Sequence, residues 1–459
     1  MSDATTLWGA GAPLDELLDR HTVGEDRELD RALLRWDVLG SMAHARGLEE
    51  AGVLSPQERG QLHRALAEAL DAVASGELTV GPQDEDAHSA LEAWLVERLG
   101  ELGLRIHAGR SRNDQVQVDL RLLVKDRLVA IADRTAAAAG ALLDLAGRHE
   151  RSLMPGYTHL RRAMPSTVGL WAAGHADALL ESLETLESGW AAADRCPLGS
   201  GAGYGVPLPL PRELVAELLG FSGIQHTVTA VQQSRGKLEV TVLHSLWPLA
   251  HDLGKLAWDV VLFSAGEYGF LRIPEALATG SSIMPHKKNP DLFELTRARA
   301  AAFDGMVAEA MAVTGKLPGG YHRDLQLTKG PLLRGLESVG EMLELAAWAV
   351  PQLEVDEERC RAAVGGELLA TDEVFARVRQ GVPFRTAYRQ VAAEVAAPGW
   401  QPPDVDTEAI LVARSSTGAA GNLGLPALGQ RLEKLRERWR ERGAAFRRRL
   451  EALVEGDPA

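Results

Sequence analysis

The stretch DLRLLVKDRLVAIADRTAAAAGALLDLAGRHE, residues 119–150, decides the fold class. Its apolar residues recur at steps of three and four, beginning with Leu120, Val124 and Leu128 and ending with Leu145. That spacing places them on one face of an α-helix. No proline interrupts the stretch, and proline is the residue that most often breaks a helix. The pattern therefore predicts one long helix with a continuous apolar face.

Four more stretches of the same kind follow along the chain. They predict helices over residues 166–195, 229–271, 290–315 and 331–350, with a kink at Pro248. Helices of this length exceed the average of about 11 to 12 residues, and they normally bury their apolar faces against one another in a bundle. Strand-like alternation and hairpin signals are nearly absent. The chain is therefore predicted to be all-α, with a central bundle of five long helices.

The whole chain is predicted to divide into three domains, at residues 1–106, 107–355 and 356–459. The first domain contains shorter helices, which are predicted over residues 12–20, 27–47, 55–76 and 84–100. The last domain contains more proline and glycine and closes with RLEKLRERWRERGAAFRRRL. Glutamates interleave with the arginines of this closing helix, so a solvated helix with mixed charge pairs is favoured over a nucleic-acid-binding patch.

Composition excludes several classes of protein. The 459 residues carry a net charge of −15, which disfavours binding to nucleic acid or to anionic membranes. The two cysteines, Cys196 and Cys360, cannot form a disulfide framework or a four-thiolate zinc site, and they suit a reducing compartment. The sequence shows neither a signal peptide nor an apolar run of the roughly 18 residues that a membrane span needs. We expect a cytoplasmic protein that contacts neither nucleic acid nor membranes.

The segment TGSSIMPHKKNPD, residues 279–291, concentrates the most chemistry. Two hydroxyls, two ammonium groups and an amide lie in a small-residue loop between two predicted helices. An ordinary linker with a solvated pair, Lys287 and Lys288, is the alternative. Lysine is scarce, however, since only eight of the 49 basic residues are lysine. Positions that keep lysine favour a role for a compact ammonium group, and hence a functional loop.

The segment HAGRSRNDQVQVDLRL, residues 107–122, opens the first long helix. Arg112 and Asn113 stand at its start, where exposed backbone N–H groups and a guanidinium could bind a carboxylate. The alternative is ordinary helix capping by Ser111, Asn113 or Asp114, with the arginines on the surface.

Two predicted turns carry further polar side chains. In PGYTHLRRAMP, residues 155–165, His159 is a candidate for proton transfer near neutral pH, although a structural histidine is the alternative. The second turn is GGYHRDLQLTKG, residues 319–330. Its hydrogen-bond donors, which suit an anionic ligand, are Tyr321, Gln326 and Lys329.

Together these motifs resemble the argininosuccinate lyase family of the fumarase/aspartase superfamily. GSSIMPHKKNP at 280–290 is similar to the superfamily's signature loop, and GRSRNDQV at 109–116 is similar to the segment that distinguishes this family. The resemblance covers nearly the whole chain, through Leu7-Trp8-Gly9, WDVLGSMAHAR (36–46), EDAH (85–88) and GVPFRTAY (381–388).

The resemblance implies a fold, an assembly and a reaction. The fold is an all-helical, three-domain subunit, and the five-helix segments of four subunits form the twenty-helix core of a homotetramer. Each active site draws loops from three subunits. The reaction is the reversible elimination of argininosuccinate to L-arginine and fumarate through a carbanion (aci-carboxylate) intermediate, in arginine biosynthesis. It requires neither a metal nor an organic cofactor.

The resemblance also implies roles for individual residues. Ser281 and His159 form the catalytic pair, with Ser281 as the base and His159 as the acid for the departing nitrogen, and the acid and base labels stay open. The residues that the resemblance implies in substrate binding are Arg112, Asn113, Thr158, Arg235, Lys287, Asn289, Tyr321, Gln326 and Lys329.

The chain departs from the family pattern at three positions. Asp26 stands at a serine-type substrate contact, His286 where many members have glutamine, and Ala108 where threonine is common. Two other functions are the alternatives. One is another fumarate-releasing lyase such as adenylosuccinate lyase, against which GRSRNDQV and YHRDLQ argue. The other is a non-catalytic, crystallin-like homologue, which is disfavoured because Ser281, His159, Lys287 and Asn289 occur together.

Overall fold

A computed structural model describes residues 16–456, apart from the side chains of Glu16 and Asp19. Most of these residues lie in helices, which confirms the all-α fold class. No helix in the described range is both long enough and apolar enough to cross a membrane. The motif at residues 7–9 and the start of the helix predicted from residue 12 lie outside the described residues. The division into three domains stays a prediction.

The N-terminal segment folds into short helices, with one departure from prediction. Its described helices are α1 (Glu16–Val23), α2 (Asp26–Asp30), α3 (Leu34–Glu50), α4 (Pro56–Ser75), α5 (Ala87–Leu99) and α6 (Glu101–Arg105). The continuous helix predicted over 27–47 is wrong, because a turn separates α2 from α3. Asp30, at the end of α2, contacts the ammonium of Lys329 and accepts the backbone N–H of Ala87 at 3.2 Å. These distant partners fix the chain at that turn.

The five predicted long helices are all present. The helices of this region are α7 (Arg112–Arg148), α8 (Val168–Ala193), the short α9 (Arg212–Leu218) and α10 (Val228–Gln233), α11 (Lys237–Ser264), α12 (Asp291–Thr314) and α13 (Lys329–Ala349). The third was predicted to begin near residue 229, but Gly236 separates α10 from α11 with a φ of 76°. A Cβ at this position would collide with Thr314, so the close approach requires glycine. Pro248 lies inside α11, as predicted.

Consecutive long helices run in opposite directions. Gly169, at the start of α8, lies against Glu150, just beyond the end of α7. The ring of Tyr157, between these two helices, lies 6.1 Å from that of Phe263 at the end of α11. The end of α7, the start of α8 and the end of α11 therefore share one end of the bundle.

The bundle consequently has two chemically distinct ends. We call the end where α7, α11 and α13 begin, with Arg112, Arg235 and Lys329, the pocket end. We call the opposite end, with residues 153–167 and 279–289, the loop end.

A β-hairpin that the sequence did not predict lies at the loop end. It consists of β1 (Leu153–Thr158) and β2 (Arg161–Thr167), which pair antiparallel. The connecting residues, His159 and Leu160, have φ angles of 53° and 56°. Positive φ at both positions is typical of a type I′ turn, which usually carries asparagine or glycine, so the sequence gives no hairpin signal. The remaining pairs are β3 (Leu271–Arg272) with β6 (Glu354–Val355), and β4 (Thr279–Gly280) with β5 (Lys288–Asn289).

The C-terminal segment begins at the loop end and returns along the bundle. Its helices are α14 (Glu357–Ala362), α15 (Ala370–Arg379), α16 (Phe384–Val395), α17 (Thr407–Ala413) and α18 (Leu425–Glu455). The last helix, α18, packs along α7 and buries Trp439 edge-on against Trp190, with 5.9 Å between the ring centroids. Charge pairs along this helix, such as Arg436 with Glu433, fit the mixed-charge interpretation.

The start of α7 is held by a network of caps. The hydroxyl of Ser111 accepts the backbone N–H of Asn113 at 3.3 Å, and Asp114 accepts that of Ser111 at 2.9 Å. The second oxygen of Asp114 accepts the N–H groups of Gly199 and Gly201 at 3.0 and 2.7 Å. Ser111 and Asp114 therefore cap the helix, while the network anchors Asn113 and the residues beside it at the pocket end.

We predict that Asp114→Ala lowers the free energy of unfolding by about 2–4 kcal/mol, because three backbone N–H groups lose their acceptor in a buried site. Asp133→Ala is the control, since Asp133 is an exposed acid of the same helix and its loss should change stability by less than about 0.5 kcal/mol. Urea unfolding at one protein concentration measures both. Equal midpoints for the two variants would contradict the capping role.

Candidate active site

A polar pocket of about 180 Å³ lies at the pocket end. Its wall is formed by Val23, Asp26, Asp30, Glu85, Asp86, His88, Arg112, Asn113, Val116, Arg235, Tyr321, Arg323, Gln326 and Lys329. The predicted site residues that it brings together are Arg112, Asn113, Arg235, Tyr321, Gln326 and Lys329. The predicted site residues that do not line it are Thr158, His159, Ser281, Lys287 and Asn289.

Lys329, the first residue of α13, is buried in this wall between two carboxylates. Its ammonium contacts Asp30 and lies 3.1 Å from Asp26. Burial alone would lower the pKa of Lys329, but attraction by Asp30 and Asp26 outweighs burial and raises that pKa. Burial raises the pKa of Asp26 to about 6, although Lys329 opposes the rise. Lys329 is therefore a firmly charged group whose charge the protein itself compensates.

Arg112, the first residue of α7, is held by acids that precede α5. Its Nη1 lies 2.8 Å from Glu85, and its Nε lies 3.3 Å from Asp86. Asp86 also caps α5 by accepting the backbone N–H of Ser89 at 2.8 Å. Burial raises the pKa of Glu85 despite the hydrogen bond from Arg112. The sequence motif EDAH thus supplies the acids that orient Arg112.

Arg235 differs from the other cations of the pocket. It is only 7% exposed, and its guanidinium lies over the ring of Tyr321, 5.0 Å from the centroid. Its Nε has no hydrogen-bond acceptor, and no described residue forms an ion pair with it. A buried guanidinium without a carboxylate partner favours an anionic ligand, because leaving a buried charge uncompensated is costly.

Gln326 and Tyr321 reach the pocket from the connection between α12 and α13. Gln326 lies in a 3₁₀-helix (Arg323–Thr328) and donates to the backbone carbonyls of Thr22 and Val23 at 3.0 and 3.1 Å. These bonds attach the end of α1 to the pocket wall. The amide oxygen of Gln326 is not used in them and can accept a donor from a ligand.

Beneath the pocket lies a buried ionic cluster that sequence reasoning missed. Nδ1 of His88 lies 3.0 Å from a carboxylate oxygen of Asp37 and 3.9 Å from one of Asp119. Burial would lower the pKa of His88, but Asp37 and its neighbours raise it to about 10. The motifs EDAH and WDVLGSMAHAR contain His88 and Asp37, yet nothing in either motif shows that they meet.

The geometry of this cluster would also allow a metal ion to bind, since ligand atoms of Asp37, His88 and Asp119 lie within 4.8 Å of one another. Burial and the neighbouring Asp37 raise the pKa of Asp119 well above its usual range. The cationic His88 compensates the charge of Asp37 within the protein. We therefore describe it as an ion-paired cluster that supports the pocket floor.

At the loop end, the tip of the hairpin presents Thr158 and His159 to solvent. Thr158 is the last residue of β1 and pairs with Arg161. His159 begins the turn, and Leu160 beside it is 69% exposed. An imidazole and an apolar side chain thus project from the tip of this hairpin.

The signature loop also lies at the loop end and is closed at its base by β4 and β5. The hydroxyl of Ser281 accepts the backbone N–H groups of Met284 and Ile283 at 3.1 and 3.4 Å. Lys288 forms an ion pair with Glu275, which gives this lysine a structural role. No described residue forms an ion pair with Lys287 in the same loop.

The two ends are too far apart to form one site within a single chain. At about 1.5 Å per residue, the 37 residues of α7 separate Arg112 from the hairpin beyond Arg148 by roughly 54 Å. The 28 residues of α11 separate Arg235 from the loop end by roughly 40 Å in the same way. The residues predicted to form one site therefore lie in two clusters, one at each end.

Comparison with known sequences identifies the family of this chain. A family model described as lyase matches residues 13–305. The argininosuccinate lyase of Sorangium cellulosum is 47% identical over 93% of this chain and 98% of its own length. That of Thermotoga neapolitana is 41% identical over 84% of this chain and 97% of its own, and that of Stenotrophomonas maltophilia is 40% identical over 95% and 99%.

Solved structures share the fold at low sequence identity. A variant of EDDS lyase solved with bound fumarate superposes with a TM-score of 0.81 at 22% identity, covering 95% of this chain and 94% of its own. A class II fumarase from Schistosoma mansoni superposes with a TM-score of 0.71 at 15% identity, covering 82% and 87%. The sequence relatives and the shared fold agree: this chain belongs to the argininosuccinate lyase family of the fumarase/aspartase superfamily.

Proposed function

We propose that this protein is a carbon–nitrogen lyase that catalyses the reversible elimination of argininosuccinate to L-arginine and fumarate, in arginine biosynthesis. The observation that carries the proposal is the 47% identity to an argininosuccinate lyase over nearly the full length of both chains. The geometry supports it through the two polar clusters, because the reaction needs both a proton acceptor and a site for a highly charged substrate.

Ser281 acts as the base that removes the proton next to a carboxylate. A serine hydroxyl is a weak base, and it becomes effective only where its alkoxide is stabilised. The N–H groups of Met284 and Ile283 point at its oxygen and stabilise the negative charge more than the neutral hydroxyl. The loop thus supplies two of the hydrogen-bond donors that Ser281 needs to act as a base.

Lys287 and Asn289 stabilise the intermediate. Removal of the proton leaves a doubly charged carboxylate, and electrostatic stabilisation of that charge is the main task of the site. The ammonium of Lys287 has no protein carboxylate to compete for it among the described residues. Asn289 lies in β5 opposite Thr279, at the base of the same loop.

His159 serves the departing nitrogen, directly or through water, as the general acid. Thr158 next to it contributes a hydroxyl for substrate binding. The pocket end holds the remainder of the substrate through Arg112, Asn113, Arg235, Tyr321, Gln326 and Lys329.

The active enzyme is a homotetramer in which each site combines pocket and loop ends of different subunits. Helix α12 supports this assembly, because only Phe293, Thr296, Phe303, Val307 and Ala310 of its 24 residues are buried. Large apolar side chains also remain exposed along α11 to α13, namely Trp247, Trp258, Leu295, Met311 and Trp348. Such a surface favours burial against further copies, in a twenty-helix core. We place the enzyme in the cytoplasm, in keeping with two free cysteines.

Turnover of defined substrates tests the reaction. We predict that purified protein releases fumarate from argininosuccinate, followed by its ultraviolet absorbance, and not from adenylosuccinate. Release from adenylosuccinate alone would favour the other lyase, and release from neither would favour a non-catalytic, crystallin-like homologue.

Replacement of the base tests the mechanism. We predict that Ser281→Ala reduces kcat by about 10³-fold, the usual magnitude for loss of a proton-transfer group. Ser282→Ala is the matched control, because Ser282 is the neighbouring exposed hydroxyl and should retain most activity. Sedimentation should show the same assembly for both variants. Near-normal turnover by Ser281→Ala would refute Ser281 as the base.

A further inference from the structure

The pocket contains one carboxylate more than Lys329 requires. Asp30 is 2% exposed and contacts the ammonium of Lys329, so this one acid already balances the charge. Asp26 adds a second carboxylate 3.1 Å from the same nitrogen. Its side chain keeps 17% exposure and lies on the pocket wall, where a ligand can reach it.

The other cations of the pocket do not compensate for Asp26. Arg112 is engaged by Glu85 and Asp86, which are separate carboxylates. Arg323 lies 4.0 Å from Glu85 and donates to the backbone carbonyl of Thr22. The corner formed by Asp26, Asp30 and Lys329 therefore has a net charge of −1 when both acids are ionised.

Arg235 provides the complementary charge. It is buried without a carboxylate partner among the described residues, so the pocket presents one uncompensated anion and one uncompensated cation. The backbone end of a free α-amino acid carries an ammonium and a carboxylate next to each other. Such a zwitterion satisfies both groups, whereas a ligand with only one of the two charges satisfies only one.

We propose that Asp26 is a specificity-determining residue that binds the α-ammonium of the amino-acid half of the substrate, with the ammonium of Lys329 orienting the carboxylate of Asp26. Arg235 then receives the α-carboxylate. The assignment rests on the proposed function, because it takes the amino-acid half of argininosuccinate as the occupant of this pocket.

Calorimetric binding of three guanidine probes tests this assignment. L-Arginine carries both charges, agmatine keeps only the ammonium, and 5-guanidinopentanoate keeps only the carboxylate. We predict that Asp26→Asn weakens the binding of arginine and agmatine by about 10- to 100-fold, as expected for a lost charge-assisted hydrogen bond. It should change the affinity for 5-guanidinopentanoate by less than about 2-fold. Asp26→Ser should behave in the same way.

Glu28→Gln is the matched control. Glu28 belongs to the same short helix, is 72% exposed and pairs with Arg31, so its loss should leave all three affinities unchanged. Equal weakening of all three probes by Asp26→Asn would show a structural role, and unchanged arginine binding would show no role; either result overturns the inference. Wild-type protein that binds no probe and releases no fumarate would overturn the proposed function with it.

The pH dependence gives a second readout. Asp26 faces Lys329 of α13, Asp30 of its own helix and Asp86 before α5, and burial raises its pKa to about 6. Wild-type affinity for arginine and agmatine should therefore fall as pH decreases from 7 to 5, while Asp26→Asn shows no such fall. Because this pKa is raised on folding, ionised Asp26 costs stability above about pH 6, so Asp26→Asn should be at least as stable as wild type at pH 8. A pH-independent wild-type affinity would contradict the assignment.

Discussion

The length of helix α7 constrains everything else in this protein. A rigid helix of 37 residues holds Arg112 at one end of the bundle and the His159 hairpin beyond the other, about 54 Å apart. No rearrangement of loops within one chain closes such a distance while the helix stays intact. The two clusters can act on one substrate only if another copy of the chain supplies the missing end. The exposed apolar surface of α11 to α13 is the surface on which such copies would pack.

Charge pairing explains how the pocket can be buried and still bind a charged ligand. Lys329 and Arg112 are compensated by acids of the protein, which keeps the site stable before substrate arrives. The charges of Arg235 and Asp26, which are opposite in sign, are not compensated in this way. These two residues therefore define which ligands the pocket accepts. Below them, the cationic His88 and its partner Asp37 support the start of α5, whose preceding residues orient Arg112. Binding specificity therefore depends on which charges the protein leaves unpaired.

Sequence patterns predicted the features that depend on local periodicity. The five long helices followed from apolar spacing, and the chemical motifs marked the residues that gather at the two ends. Features that depend on distant contacts were missed. The break at Gly236 is required by the approach of Thr314, and the end of α2 depends on Lys329, 299 residues beyond Asp30. The hairpin was missed because a His-Leu pair occupies a turn that usually carries asparagine or glycine. Likewise, no local pattern shows that Asp26, Glu85 and His88 line the same pocket.

Complementation between inactive variants tests the shared site most directly. Arg235→Gln removes a pocket-end group without leaving a protein carboxylate unpaired, and Ser281→Ala removes the loop-end base. Each variant alone should be inactive. Differently tagged copies that are co-expressed and purified as mixed tetramers should regain about a quarter of wild-type activity, because random assembly gives roughly one site in four both intact ends. A mixture of Ser281→Ala with Lys287→Ala, which alters the same loop, should regain none. Mixed tetramers of Arg235→Gln and Ser281→Ala that stay inactive would contradict a site built from different subunits.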